Sequence, residues 1–278
     1  MATPPDLLIC VDNGSPAEYV SALRAGAPED AVVIELPENV GFPAATNAGM
    51  KHALDHGVDW TLFLNNDATV DPDCLGRCIA ETVGAEHIAV VGPAVTFADR
   101  TDLLWFGGGE VSDWFAFTRH RGLGKPAATP PPTSDTGFVS ACCALVSSAA
   151  WRSVGPYRSD FFIYYEDAEW CQRARAAGWT CRYLGEVLCA HAVSSTMVRR
   201  GSLGLSENAA YYLARNPMRF ALESKPFIRR ASRVVGLLTV WAAYNALRIL
   251  RSRTPTVARS YVQGLFDAAR GRMGRRPA

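Results

Sequence analysis

Nowhere does the chain hold the run of about 20 apolar residues that a membrane-spanning helix needs. Its closest approach, Val234–Leu247, is 14 apolar-dominated residues broken by Asn245. The eight cysteines form no pair of CxxC motifs and no Cys/His zinc spacing, which excludes a zinc ribbon or finger. Several sit inside apolar runs, so reduced and mostly buried thiols are expected. The opening Met-Ala-Thr-Pro-Pro-Asp lacks the charged and apolar regions of a signal peptide, and the cytoplasm is the expected compartment. There is no internal repeat, and no nucleic-acid recognition motif accompanies the basic residues, so no nucleic-acid partner is expected. Charged residues are only 20% of the chain against 49% hydrophobic, which excludes wholesale disorder.

What is present is a 278-residue chain long enough for a large buried core, with its charge unevenly divided. The net charge is +1, but residues 225–278 carry 12 Lys/Arg against one acid, Asp267, a net +11. The remainder holds 16 bases and 26 acids, a net −10. A division into a body, 1–224, and a basic helical tail, 225–278, follows. The tail is suited to an anionic surface.

Along the body, strand-like and helix-like segments alternate. Leu7–Val11 is a short apolar run ending in Asp12-Asn13-Gly14-Ser15, Pro16–Ala27 has helical character, and Val32–Leu36 is a second strand. Ala44–His56 reads as a helix, and Trp60–Leu64 is a strand ending in Asn65-Asn66-Asp67. Asp73–Val83 and Ile88–Val91 continue the alternation as helix and strand. This order predicts an α/β fold with a mostly parallel, helix-covered sheet, whose ligands gather at the carboxyl ends of the strands. From Asp99 to Asp135 the pattern gives way to Gly107-Gly108-Gly109, an aromatic patch (Trp105, Phe106, Trp114, Phe115, Phe117) and Pro130-Pro131-Pro132, which predicts a hairpin and surface loop. Gly137–Ser147 and Thr180–Leu184 read as strands, and Asp167–Gly178 and Glu207–Glu223 as helices.

Four clusters could carry chemistry, and each has a plainer alternative. Asp67 leaves a strand end where its carboxylate can hold a hard cation, or where Asn65-Asn66-Asp67 simply closes an Asx turn. Glu166 and Asp167 follow the apolar Phe161–Tyr165 segment, a setting that raises a carboxyl pKa for general-base work; they also suit the N-terminus of the helix that follows. His191, at the end of an apolar run, is either a hydrogen-bonded structural residue or a metal ligand. Asn39-Val40-Gly41-Phe42 and Thr46-Asn47-Ala48-Gly49 permit close approach of an anion to a helix N-terminus, or serve turn geometry alone.

Taken in order, Val11-Asp12-Asn13-Gly14-Ser15, Glu38–Phe42 with Asn47-Ala48-Gly49, Leu64–Asp67, Tyr165-Glu166-Asp167 with Arg173 and Gly178, His191, and Tyr211-Tyr212 with Arg215-Asn216 resemble the family-two inverting glycosyltransferases of GT-A fold, near the rhamnosyl- and galactofuranosyltransferase branch. The resemblance covers roughly residues 7–220. It implies that Asp12 hydrogen-bonds a uracil or thymine ring, that Asn13, Asn39, Gly41, Asn47, Asn65 and Asn66 surround the nucleotide, and that Asp67 and His191 hold Mg²⁺ or Mn²⁺ beside the diphosphate. Asn65 stands where the family usually has a first acid. Asp167 resembles the general base, with Glu166 as its orienting partner. Members usually begin with one further strand and helix, so the resemblance implies that this strand is missing ahead of residue 7 and that two strand edges are left bare.

An inverting, metal-dependent transfer of a sugar from a UDP- or dTDP-sugar to a glycan, lipid-linked or small-molecule acceptor is therefore expected. The alternatives are a non-catalytic relative acting as a binding or scaffold module, and a nucleotidyltransferase on a similar sheet; the last leaves Glu166-Asp167 and His191 without a task. Aromatic faces suit sugar rings, which makes Trp105, Trp114 and Trp170 candidates for acceptor contacts. The tail, with Arg229, Arg230 and Arg233 before its apolar run and Arg248, Arg251 and Arg253 after it, reads as an amphipathic helix at the inner face of a membrane or packed against the acidic body.

Overall fold

The computed structural model describes residues 2–112, 114, 117–193, 205–224, 226–252 and 254–277. Phe115, Lys225 and Arg253, and the side chains of Arg248 and Arg251, lie outside the described residues.

Two βα units open the chain. Strand β1 (Ile9–Asp12) leads through helix α1 (Ala17–Gly26) to β2 (Val32–Glu35), which pairs parallel with β1, and helix α2 (Phe42–Asp55) leads to β3 (Trp60–Leu64). Gly41 ends the loop before α2 at φ 89°, where a Cβ would stand 2.5 Å from the Phe162 carbonyl oxygen, so only glycine fits. Beyond β3 come β4 (Ala68–Val70), α3 (Cys74–Ala80), β5 (Ile88–Phe97), β6 (Leu104–Phe106), a hairpin of β7 (Gly109–Val111) and β8 (Thr118–His120), β9 (Ser134–Asp135), β10 (Cys143–Ser147) and α4 (Ser148–Val154). The chain finishes with α5 (Glu166–Ala176), β11 (Thr180–His191), α6 (Glu207–Leu222), α7 (Phe227–Gly236), α8 (Ala242–Ser252) and α9 (Pro255–Ala269).

The central sheet has seven strands, in the order β3-β10-β5-β11-β4, with β6 added on β5 and β9 on β11. It is mixed rather than mostly parallel. β5 and β11 are parallel, whereas β10 runs antiparallel to both β3 and β5, and β4 antiparallel to β11. Ile88 to Thr96 of β5 are all buried, which explains their unbroken apolar run: helices cover one face and the excursion of 104–138 the other. Each fully buried Val there contributes roughly 1.5–3 kcal/mol. Seven of the eight cysteines are buried and all eight are free thiols.

Two expected strand edges are bare. Among the described residues β1 pairs only with β2, and β3 only with β10. Both strands flank one large cleft, which also reaches the carboxyl ends of the central strands.

Candidate active site

That cleft, of about 2680 Å³, exceeds the roughly 300–1,000 Å³ typical of a single small-ligand site and has room for two ligands. Its first wall is the turn after β1. Asp12 is buried, and its Oδ2 accepts the backbone N–H of Gly14 at 3.1 Å and of Ser15 at 3.0 Å. Hydrogen bonding from Ser15 holds its carboxyl below the ordinary value against the opposing effect of burial, so it is ionised. Asn13 ties this turn to the next loop: its Oδ1 accepts Val40 N–H at 2.9 Å, and its Nδ2 donates to Asn39 Oδ1 at 3.3 Å. Asn39 Oδ1 in turn accepts Gly41 N–H at 3.0 Å.

At the far end of β3 the chain turns through Asn65 and Asn66, with Ala68 N–H donated back to Asn65 carbonyl at 3.1 Å. Antiparallel pairing of β4 with β11 sets Ala68 opposite His191, and this register brings the Asp67 carboxylate to the imidazole. Asp67 Oδ1 and His191 Nε2 are 3.1 Å apart. His191 Nδ1 is buried with no hydrogen-bond partner.

The pair fits a divalent cation. An ion ligated octahedrally at about 2.1 Å places neighbouring donor atoms about 3.0 Å apart, close to the separation seen. No group of three His, Cys, Asp or Glu side chains suited to a metal occurs among the described residues, so these two would be the protein's share. Mg²⁺ and Mn²⁺ are commonly completed by water and phosphate oxygens.

The acid pair lines the same cleft, at the first turn of α5. The chain reaches it through a strained turn in which Phe162, Tyr164 and Tyr165 all have φ between 66° and 77°. Such conformations cost of order 1–3 kcal/mol each and persist only where surrounding groups hold them. Here Asn216 of α6 donates to the carbonyls of Ile163 at 2.8 Å and Tyr164 at 2.7 Å. Arg215, wholly buried and lying over the rings of Tyr211 and Tyr212, donates to the Phe161 carbonyl at 2.7 Å.

The two acids differ in state. Glu166 is buried, its Oε2 lacks a partner, and burial, aided by the charge of Asp167, drives its carboxyl well above the ordinary value, so it is protonated. Asp167 is half-buried and accepts Ala168 N–H at 2.7 Å and Ala141 N–H at 3.3 Å. Burial raises its pKa to about 6 against those bonds. A carboxylate that titrates near 6 can accept a proton at neutral pH.

Thus Asp12, Asn13, Asn39, Gly41, Asn65, Asn66, Asp67, His191, Glu166, Asp167 and Trp105 all line this one cleft. Three sequence candidates stand elsewhere. Asn47 holds the backbone of Tyr157 from both sides, donating to its carbonyl at 2.9 Å and accepting its N–H at 3.0 Å. Trp170 is buried in the core, where its Nε1–H donates to the Gly155 carbonyl at 2.8 Å. Trp114 is 60% exposed and does not line the cleft.

His120, which no local motif marks, also lines the cleft. Its Nδ1 lies 3.1 Å from the Trp105 carbonyl, so Nδ1 carries the proton, and burial lowers its pKa to about 4. The Trp105 ring meets His120 and His191 edge-on at 4.7 and 4.5 Å, a wedge between the two imidazoles. Trp105 stands on β6 and His191 on β11, both paired with β5, and His120 on β8, so only the tertiary structure brings these rings together.

The sequence model of glycosyl transferase family 2 matches residues 3–153, more than half of the chain. The chain belongs to glycosyl transferase family 2. It is 23% identical over 191 residues to the dTDP-rhamnosyl transferase RfbF of Shigella flexneri, a match covering 66% of this chain and 60% of that protein. The chain thus spans about three-fifths of that relative's length. Among solved structures it resembles GalNAc-T7 with UDP, GalNAc and Mn²⁺ (TM-score 0.53, 12% identity, 87% of this chain and 52% of that chain). It also resembles the mannosyltransferase PcManGT of Pyrobaculum calidifontis in complex with GDP-Man and Mn²⁺ (TM-score 0.51, 14% identity, 96% of this chain and 77% of that chain). At these identities the likeness is one of fold, and the family-2 member has a GT-A-like one.

Proposed function

We propose that this family-2 member transfers a sugar from a UDP- or dTDP-sugar to an acceptor hydroxyl with inversion. The acceptor is a glycan, a lipid-linked glycan or a small molecule. The observation that carries the reading is the presence, in one cleft, of a carboxylate titrating near pH 6 and of the Asp67–His191 pair. The relative RfbF is named for a dTDP-rhamnosyl donor, and both structural neighbours hold nucleotide ligands with Mn²⁺, which supports the donor class and the metal.

Asp12, ionised at the nucleotide wall, offers its carboxylate to a base N–H. The bridged amides of Asn13 and Asn39 and the bare backbone of Gly41 shape the rest of that wall. Asp67 and His191 would hold Mg²⁺ or Mn²⁺, which when bound supplies electrostatic stabilisation of the leaving diphosphate. Asp167 takes the proton from the acceptor hydroxyl as its oxygen attacks the anomeric carbon from the face opposite the diphosphate. One C–O bond forms as the other breaks, the bonding pair leaves with the diphosphate, and the proton ends on Asp167. Glu166, neutral, adds no second charge to repel the developing alkoxide. Trp105 offers an aromatic face to a sugar.

Calorimetry of UDP and dTDP with and without Mn²⁺, on the parent and on Asp67→Ala, tests the donor site. Metal-dependent binding that the substitution abolishes supports the reading. A folded protein that binds neither nucleotide would favour a non-catalytic binding module, the alternative for which Asn65 in place of a first acid speaks.

A further inference from the structure

Helices α7 and α8 form one continuous rod joined by a π-helical turn at Leu237–Trp241. One face of the rod is spent on the body: Leu237 packs with Met218, Ala221 and Ala268. The other is a row of large apolar side chains with nothing over it. Ile228, Val235, Leu238 and Leu250 are between 52% and 73% exposed, and Phe227 at the start of the rod is 77% exposed. The spacings of 7, 3 and 12 residues keep them on one side, with the wide π turn absorbing the extra residue in the last interval. A soluble surface rarely keeps so many large apolar groups adjacent.

Charge indicates what covers them. Arg229 and Arg230 flank the row, and among the described residues neither has a carboxylate within ion-pair distance. They belong to a tail of net +11, to which an anionic surface is the complementary partner. No described helix is long and apolar enough to cross a membrane. An apolar row bordered by arginines on such a rod has the build of an interfacial helix, with its side chains in the acyl boundary and its cations among anionic headgroups.

We propose that the exposed face of the α7–α8 rod is a docking surface for an anionic lipid bilayer. Val240, Trp241 and Tyr244 of the same rod line the catalytic cleft, so docking sets the entrance of the cleft beside the bilayer. The proposal rests on the surface alone and stands or falls separately from the sugar-transfer reading.

The test is co-sedimentation of the full chain with phosphatidylcholine vesicles, with and without phosphatidylglycerol. Binding to the anionic vesicles is expected, weakening with added salt and at least about ten-fold weaker on phosphatidylcholine alone. Ile228→Glu with Leu238→Glu is expected to lower it by a further ten-fold or so while nucleotide binding and the thermal melt stay as in the parent. Val235→Ser with Leu238→Ser gives a milder second variant. Failure of the parent to bind anionic vesicles overturns the proposal, as does binding that both variants retain. So does a dimer by sedimentation equilibrium that the glutamate variant dissociates, which would show the row covered by a second copy.

Discussion

Glu166 and Asp167 are neighbours in sequence whose surroundings divide them into a neutral acid and a titratable base. If Asp167 is the base, transfer rises with pH through about 6 and is flat above it, because only the ionised form accepts a proton. Asp167→Asn is then expected to keep nucleotide affinity while turnover falls roughly a hundred- to ten-thousand-fold; near-parental turnover would remove Asp167 from the reaction. For Glu166 the linkage has a definite sign. Folding raises its pKa, so its contribution to stability is full below the ordinary carboxyl value and is lost as pH rises through the folded value. Glu166→Gln lacks that loss. Melting curves should therefore coincide with the parent at acid pH and move above it as pH rises, and a constant offset would count against a buried neutral acid. Most of these residues were legible in the sequence because each follows a strand or begins a helix, where polar side chains face a cleft. Asn47 and Trp170 were not, since a helix presents several faces and local spacing does not say which one meets the ligand.

The element that sets the acid pair in place is the turn of residues 161–165, and its geometry is not local. Three left-handed residues without glycine would relax were they not held by Arg215 and Asn216 of α6. The sequence marked Arg215-Asn216 as part of a resemblance but gave no hint of its task, because the partners lie more than 50 residues away. Asn216→Ala leaves buried carbonyls without donors and is expected to cost about 2–3 kcal/mol in urea unfolding. Turnover should fall with it while nucleotide affinity at the Asp12 turn is kept; unchanged turnover would detach the turn from catalysis. Regular elements were read more closely: Trp60–Leu64 has the expected ends, and α5 and α6 lie within two residues of theirs. By contrast β5 and β11 run to Phe97 and His191, well past the apolar runs at Ile88–Val91 and Thr180–Leu184. Their register with each other, with β4 and with β6 extends them, and that is a property of the sheet. Within 137–147 only Cys143–Ser147 is strand, because Gly137 and Phe138 turn aside to bond Gly109.

At the scale of the whole molecule, composition marked residues 225–278 as a separate basic tail, yet much of it is built into the body. Helix α9 lies along α6 so closely that a Cβ on Gly264 would stand 2.3 Å from the Tyr211 carbonyl oxygen. Tyr211 donates its hydroxyl proton to Asp267 at 2.9 Å, the one acid of the tail. Beyond α9, Gly274 N–H donates to the Asp160 carbonyl at 2.6 Å, and Arg276 N–H donates to the Tyr212 hydroxyl at 2.8 Å. The last residues therefore brace the segment that Arg215 holds, just ahead of the acid pair. Charge counting missed this because one buried glycine and one buried aspartate decide the packing, and neither stands out among 12 bases. Gly264→Val forces α6 and α9 apart and is expected to destabilise by about 1–3 kcal/mol. Since the braces run through the turn that carries the acid pair, the loss should appear as a downward shift of a single thermal transition, accompanied by lower turnover. A separate early transition that left turnover intact would instead mean that the tail and the body fold as independent units.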